Sequence, residues 1–308
     1  MEVTRTFDLL EQLVQKYPKD DILSRKSNGK WIKFSCDQYK RYSHLMAYAF
    51  LAMGYQKEDK VIAISNNRPE WNFTDMGLTM CGMIFVPVYS TLSNEDYLHI
   101  IEHSDAKVIF LGGEQLVKKI APLVSKIDRE IKIFTYDHVE GYQSIDDLYK
   151  LGEEYENQFK EIVEENKRNI DENSVATIIY TSGTTGTPKG VMLSHKNLVF
   201  NFIGTAVQQI RDYRHKMLSF LPLCHIYERG MNYDYQYVGI STYYAEGLGT
   251  IAADLADSKA DGFCAVPRVL EMMFNKLEAA GKDLKGIKKI IYKWAFRIAC
   301  NYDYSKKG

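Results

Sequence analysis

Ten residues near the middle of the chain, Thr181 to Gly190, are too polar and too rich in glycine to be buried. They comprise four threonines, three glycines, one serine, one proline and one lysine. Glycines allow the backbone to turn so that several N–H groups face one point, and hydroxyl groups add short donors. Lys189 adds a positive charge. This composition predicts a loop that cradles a polyanion, most simply the phosphates of a nucleotide.

The segments on either side of this loop both have the composition of strands. Ala176 to Tyr180 is β-branched and apolar, and Gly190 to Ser194 has a second strand pattern. A Walker-type loop needs G-x-x-x-x-G-K-[ST] followed directly by a helix. Here Pro188 and Gly190 stand where the second glycine and the Ser/Thr are required, so the Walker class is excluded. A surface loop without a ligand remains the alternative on composition alone.

The stretch from Tyr180 to His195, YTSGTTGTPKGVMLSH, resembles the phosphate-loop signature of the adenylate-forming superfamily. That superfamily contains acyl-CoA synthetases and peptide-synthetase adenylation domains. The resemblance implies that a carboxylate is activated by ATP to an acyl-adenylate, with pyrophosphate as the leaving group.

The overall charge and the cysteines limit the class of protein. The 308 residues carry 39 basic and 40 acidic side chains, which argues against a nucleic-acid partner. The five cysteines are scattered without a C-x-x-C motif, which predicts reduced thiols in a cytoplasmic protein. Neither a signal peptide nor a membrane-spanning apolar run is visible in the sequence.

From Val61 onward, strand patterns alternate with helix patterns. This alternation predicts an α/β fold of two packed halves with mainly parallel sheets. We expect a first subdomain over 1–173 and a second over 174–308. The glutamate-rich segment Asp146 to Asn173 is interpreted as a surface helix followed by a solvated connector.

Local signals place individual turns and helix ends. Asn28-Gly29 predicts a two-residue hairpin turn, and Ser35, Ser93 and Ser194 each stand where an N-cap is expected. Pro267 is expected at the first position of a helix.

The segment Pro222 to Arg229 places four functional side chains just after a predicted strand, where α/β sheets bind ligands. From the residues alone, a ligand site and a polar cap are equally good interpretations. The segment also resembles the second core motif of the superfamily, and its Glu-Arg ending is most similar to long-chain fatty acyl-CoA synthetases. That resemblance places His225 near the substrate carboxylate and the pantetheine path, with Tyr227 as a substrate contact. It makes Glu228 and Arg229 structural or pocket-organising.

Two further segments have a structural and a functional interpretation. The block from Val266 to Glu271 resembles a region that borders the acyl pocket in the same subgroup, so Val266 is a predicted substrate contact; a helix N-terminus is the alternative. His99 to His103 matches H-x-x-E-H, an inverted zinc-protease signature. Because no third ligand is evident, we interpret the two histidines as part of a solvated helix face.

Lys282 to Arg297 has the pattern of a basic amphipathic helix. Six cations lie in this stretch with one opposing acid, Asp283. We favour a surface helix whose apolar stripe joins the core. The alternative is peripheral contact of 282–298 with the anionic inner face of a membrane.

The resemblance as a whole implies a long-chain fatty acid–CoA ligase that uses ATP, Mg²⁺ and CoA. His225 and Lys189 are the expected catalytic residues, and a threonine, Thr184, is expected to contact Mg²⁺. The expected phosphate ligands are Thr181, Ser182, Gly183, Thr184, Thr185, Gly186 and Lys189.

The sequence also departs from that family. It contains no Y-G-x-T-E block, which would contact adenine, and no T-G-D block, which would hold the ribose. We therefore expect an N-terminal portion that is inactive alone. A nucleotide- or acyl-binding module without turnover stays open, as do an aryl-CoA ligase, a peptide-synthetase adenylation domain and a homodimeric state.

Overall fold

A computed structural model of the chain describes residues 2–181, 186–208 and 210–303. Strands and helices alternate along it, and two mixed sheets with mainly parallel strands form, which confirms the predicted α/β class. The predicted hairpin at Asn28-Gly29 is present, because β1 (Leu23–Ser27) pairs in antiparallel fashion with β2 (Lys30–Phe34). Both turn residues have positive φ, which Asn and Gly tolerate better than other residues.

The larger sheet has seven strands in the order β7-β6-β5-β3-β4-β8-β9. All its neighbouring pairs are parallel except the last, in which β8 and β9 run antiparallel. The seven strands are β3 (Lys60–Ile64), β4 (Ile84–Val88), β5 (Val108–Leu111), β6 (Lys132–Thr135), β7 (Gln143–Ser144), β8 (Val175–Thr181) and β9 (Lys189–Ser194).

Side chains on the two faces of this sheet enter different hydrophobic clusters, because successive residues of a strand point to opposite sides. Val61 and Ala63 belong to a cluster with α2 (Cys36–Ala52) and α3 (Pro69–Met80). Ile62 and Ile64 belong to a second cluster with the helices that cover the other face. Those helices are α4 (Asn94–Ser104) and α5 (Glu114–Val124).

The smaller sheet has the order β12-β10-β11-β1-β2. Its later strands are β10 (Lys216–Ser219), β11 (Ser241–Tyr244) and β12 (Gly262–Phe263), and they are connected through α8 (Ile226–Tyr237) and α9 (Ile251–Ser258). The N-terminal hairpin joins this sheet because β1 pairs in parallel with β11. Each sheet therefore contains strands from both sides of residue 173, the boundary predicted between the two subdomains.

The glutamate-rich segment forms one continuous helix, α6 (Ile145–Asn169), which leaves only residues 170–173 of that segment for the predicted connector. Val163 is fully buried and Phe159 packs against the main core, so the second half of the helix has an apolar side as well. The close approach of α6 to α2 requires a glycine at Gly152, because a Cβ there would overlap the backbone of Leu45.

The predicted caps are present. The side chains of Ser35, Ser93 and Ser194 accept the backbone N–H three residues later, and Ser35 and Ser194 form capping boxes with Gln38 and Asn197. Ser194 caps α7 (His195–Ala206). The remaining helix of this part of the chain is α1 (Asp8–Lys16).

The contacts between residues divide the chain into a larger unit up to Cys264 and a smaller unit from Ala265 onward. The smaller unit is a helix pair, α10 (Pro267–Asp283) and α11 (Gly286–Cys300). Pro267 is at the first position of α10, as predicted. The single helix expected over 282–297 is interrupted, because Leu284 and Lys285 are extended and Gly286 has positive φ.

Candidate functional site

The predicted strand–loop–strand arrangement is present. Strand β8 ends at Thr181, β9 begins at Lys189, and these two residues are register partners in an antiparallel ladder. The two stems of the loop are therefore side by side. Four predicted phosphate ligands, Ser182, Gly183, Thr184 and Thr185, lie outside the described residues.

Two glycines of the signature have a conformational reason to be glycine. Gly186 has φ +86°, a backbone conformation that side chains with a Cβ rarely adopt. At Gly190 a Cβ would lie 2.8 Å from Cγ2 of Ile178 and 3.3 Å from the ring of Tyr180. Gly190 thus lets the Tyr180 ring lie across the neighbouring strand.

The described phosphate-ligand candidates present their polar groups to solvent. Thr181, Gly186 and Lys189 are all exposed. Within 2–181, 186–208 and 210–303 no carboxylate forms an ion pair with Lys189. The role of Lys189 in binding phosphate stays a prediction.

The two histidines of the H-x-x-E-H segment contact the stems of this loop, which the sequence did not indicate. His99 Nε2 is 3.0 Å from the carbonyl oxygen of Pro188, and His103 Nδ1 is 2.7 Å from the hydroxyl of Tyr180. The helix face is exposed at Glu102 and His103, as predicted, and His99 is partly buried; the contacts with the loop stems are additional to that interpretation. In the described part of the chain no cluster of three or more potential metal ligands occurs.

His225, the predicted catalytic histidine, is the N-cap residue of α8. The helix begins at Ile226, so Tyr227, Glu228 and Arg229 belong to its first turn. His225 Nδ1 accepts the N–H of Tyr227 at 3.2 Å, so in the neutral ring the proton is on Nε2. The side chain is exposed and can donate a hydrogen bond to a ligand oxygen. Tyr227 is exposed as well.

Arg229 links the helix capped by His225 to the strand that enters the phosphate loop. Its guanidinium donates to Asp75 Oδ1 and to Thr177 Oγ1, both at 2.7 Å, and to Tyr233 OH at 3.0 Å. Tyr233 in turn donates a short hydrogen bond to Asp75. Burial opposes the charge on Arg229, but Asp75 and Tyr233 outweigh it and hold the Arg229 pKa above its ordinary value. This network carries the structural role that was predicted for Arg229.

Glu228 is buried next to this network, and burial raises its pKa to about 7. Ser219 donates to Oε1 at 2.5 Å, and Asn232 Nδ2 lies 3.4 Å from the same oxygen. Oε2 is buried without a hydrogen-bond partner among the described residues. A carboxyl group in such surroundings favours the neutral form.

Asn67 fixes the turn between β10 and α8. Its side chain donates to the carbonyl of Leu221 at 2.7 Å and accepts the N–H of Leu223 at 3.0 Å. This pair of bonds positions the backbone two residues before His225.

A cavity of about 700 Å³ lies at the carboxyl ends of the sheet strands. Its lining includes Arg25, Arg68 and Lys119, but Glu70 pairs with both arginines, at 2.7 and 3.1 Å. None of the predicted site residues that the structure describes lines this cavity. Val266, the remaining substrate candidate, is the N-cap residue of α10 in the smaller unit.

Comparison with known proteins identifies the family. The family described as AMP-binding enzyme matches residues 10–296. The chain belongs to the AMP-binding enzymes. It is 29% identical to the long-chain-fatty-acid–CoA ligase ACSBG2 of Xenopus laevis over 314 residues, which cover 97% of this chain and 42% of that protein. It is 27% identical to long chain acyl-CoA synthetase 4 of Arabidopsis thaliana over 327 residues, which cover 98% of this chain and 47% of that protein. The chain therefore spans less than half the length of these two relatives.

Solved structures share the fold. A long-chain-fatty-acid-CoA ligase (FadD1) from Archaeoglobus fulgidus superposes with a TM-score of 0.75 at 21% identity, covering 90% of this AMP-binding enzyme and 54% of that chain. The N-terminal domain of FACL13 from Mycobacterium tuberculosis, in an inhibitor-bound crystal structure, gives a TM-score of 0.71 at 20% identity and covers 87% and 64%. At these identities the comparison establishes the fold. Among the described residues of this family member, no helix has both the length and the apolar character needed to cross a bilayer.

Proposed function

We propose that this chain binds ATP as part of a long-chain fatty acid–CoA ligase that forms an acyl-adenylate and transfers the acyl group to CoA. The observation that carries the proposal is the strand–loop–strand at 175–194, in which Lys189 lies beside Thr181, is exposed and forms no ion pair with a described residue. The long-chain ligases among the relatives support the choice of a fatty acid as substrate.

We infer a separate role for each of the described site residues. Thr181 and Gly186 would hold the phosphates, and Lys189 would counter the charge that builds on the leaving pyrophosphate. His225, with its proton on Nε2, would bind an oxygen of the substrate carboxylate, and Tyr227 and Val266 would contact the substrate. In these roles the residues would contribute to catalysis by neutralising charge and by positioning the substrates.

The remaining phosphate ligands are proposed from the signature alone. Ser182, Gly183, Thr184 and Thr185 belong to it, and the Thr184 hydroxyl is the proposed Mg²⁺ ligand. Mg²⁺, when bound, would neutralise phosphate charge.

Two measurements test this proposal. Calorimetric titration with MgATP should show binding, and a pyrophosphate-release assay should compare palmitate, benzoate and amino acids. Release with palmitate alone supports the ligase. Release that depends on benzoate or an amino acid would replace the fatty acid by another substrate class. ATP binding without release with any acid is expected from a ligase portion that is inactive alone, and it is equally the result for a nucleotide-binding module without turnover. Absence of ATP binding contradicts the proposal.

We also propose membrane contact through residues 282–298 and a homodimeric state. The membrane proposal is supported by the cations of this segment and by an exposed apolar stripe on α11 that includes Ile287, Ile291 and Trp294. In liposome sedimentation, anionic vesicles should bind more protein than neutral vesicles. Equal binding to both, or none, would contradict a membrane role. Sedimentation velocity would report the oligomeric state.

A further inference from the structure

We propose that His99 and His103 are positioning residues that hold the two stems of the phosphate loop in the geometry needed to bind ATP. The inference rests on the proposed function, because it takes ATP as the ligand of the loop. His99 contacts the stem that leads into β9, and His103 contacts the end of β8. One helix therefore forms a hydrogen bond with each stem of the loop.

His99 holds the stem that contains Lys189 through one hydrogen bond. The carbonyl oxygen of Pro188 can only accept a hydrogen bond, so His99 donates from Nε2 over 3.0 Å. The Pro188 carbonyl and the Lys189 N–H belong to one planar peptide unit, so fixing the carbonyl also fixes the direction of the N–H. Pro188 has no N–H of its own to anchor this stem. His99 thus acts on phosphate binding through Lys189.

His103 controls the other stem through Tyr180. The Tyr180 hydroxyl and His103 Nδ1 are hydrogen-bonded over 2.7 Å, and the two rings pack edge to face with centroids 5.7 Å apart. Burial raises the Tyr180 pKa to about 12, so the hydroxyl stays protonated at neutral pH. Thr181 follows directly in the chain. His103 thus acts on the position of Thr181 through Tyr180.

The spacing of the two histidines allows a single rigid helix to hold both stems of the loop. Residues four apart lie on the same side of a helix, and the ring centroids of His99 and His103 are 5.3 Å apart. Helix α4 is itself anchored by buried Ile100 and Ile101. The helix can therefore hold the loop stems without moving.

Alanine and conservative variants of the full 308-residue chain test the inference. In His99→Gln the amide nitrogen can replace Nε2 as donor, and in His103→Asn the amide group can replace Nδ1 as either acceptor or donor. We expect His99→Ala and His103→Ala each to raise the Kd for MgATP about fivefold, the factor that corresponds to the loss of one hydrogen bond. The Gln and Asn variants should stay within about twofold of the wild type.

Glu102→Ala is the matched control, because Glu102 is an exposed residue of the same helix between the two histidines. It should leave the Kd unchanged. The thermal midpoint of each variant shows whether α4 and the sheet are intact. Wild-type affinity in both histidine-to-alanine variants, or equal loss in the alanine and conservative variants, overturns the inference.

Hydrogen exchange without nucleotide separates this inference from the proposed function. The amides of Tyr180, Thr181, Lys189 and Gly190 should exchange faster in the two alanine variants than in the wild type and the Glu102→Ala control. If the wild type does not bind ATP, the proposed function fails, while faster exchange still shows that the histidines hold the stems. Unchanged exchange in both alanine variants contradicts the inference.

Discussion

Arg229 and Asp75 form an ion pair of 2.7 Å in which both side chains are almost completely buried, at 0% and 1% exposure. The pair joins α8 to α3, and the bond from Arg229 to Thr177 extends the connection to β8. Arg229 belongs to the helix that His225 caps, and its buried guanidinium is thus hydrogen-bonded to the strand that enters the phosphate loop. Removal of either partner leaves an uncompensated polar group in the core.

Replacement of Arg229 should therefore be strongly destabilising. We expect Arg229→Met to lower the free energy of unfolding by about 3–5 kcal/mol, because Asp75 remains buried without its cation. The exposed pair of Arg268 and Glu271 supplies the control, and Arg268→Met should cost at most about 1 kcal/mol. Urea denaturation measures both. A cost below about 1 kcal/mol for Arg229→Met would contradict the role assigned to this pair.

Glu228→Gln should stabilise the protein at high pH. The Glu228 pKa is raised from 4.5 to about 7, so the folded wild type loses stability as pH rises through this range. At 1.36 kcal/mol per pKa unit the loss reaches about 3 kcal/mol. Glutamine keeps the oxygen that accepts from Ser219 and has no charge. The gain over wild type in urea denaturation should be largest at pH 8 and close to zero at pH 4.5. A pH-independent difference would show that Glu228 does not titrate in this range.

His195 should produce the opposite pH dependence. Burial lowers its pKa from 6.5 to about 4, and its Nδ1 accepts the N–H of Thr6 at 3.2 Å. The wild type therefore loses stability as pH falls from about 6.5 to 4, by roughly 3 kcal/mol. His195→Asn keeps an acceptor but does not titrate. We expect this variant to be less stable than wild type at pH 7.5, because it packs less well against Phe7, and the gap to narrow towards pH 4. A gap that stays constant would contradict a buried neutral histidine.

Lys189→Ala should weaken MgATP binding by about tenfold or more, the effect of one charge-assisted hydrogen bond. Because Lys189 is exposed, the thermal midpoint should hardly change. Lys196→Ala is the control, since Lys196 is also exposed but pairs with Glu172 at 2.6 Å. Calorimetry that shows tight ATP binding in the Lys189 variant would contradict the proposed phosphate contact.

Two glycines in helices should respond oppositely to alanine. At Gly152 the new Cβ would lie within 3 Å of the Leu45 backbone, so Gly152→Ala should cost about 1–3 kcal/mol through overpacking. At Gly204 an added Cβ would meet no described atom beyond its own stretch of helix within 4 Å, so Gly204→Ala should stabilise the protein by roughly 0.5–1 kcal/mol through helix propensity. Thermal unfolding compares the two. A stabilising Gly152→Ala would show that α2 and α6 can separate at little cost.

Features that depend on neighbours in the chain were predictable from the sequence. The phosphate loop between two strands, the hairpin at Asn28-Gly29 and the cap at Ser35 are set by residues a few positions apart. Local backbone preference and short-range hydrogen bonds determine such features, and the length of the phosphate-loop signature was enough to indicate the family.

Other features arise only when distant segments pack together. The bond from His99 to Pro188 spans 89 positions and the bond from Arg229 to Asp75 spans 154. Neither pairing leaves a periodic or compositional signal in the chain. The contacts of the two histidines with the loop stems and the full length of α6 were therefore not predicted. Strand order and the packing of apolar faces decide which side chains meet, so only the tertiary structure placed α4 against the stems of the phosphate loop.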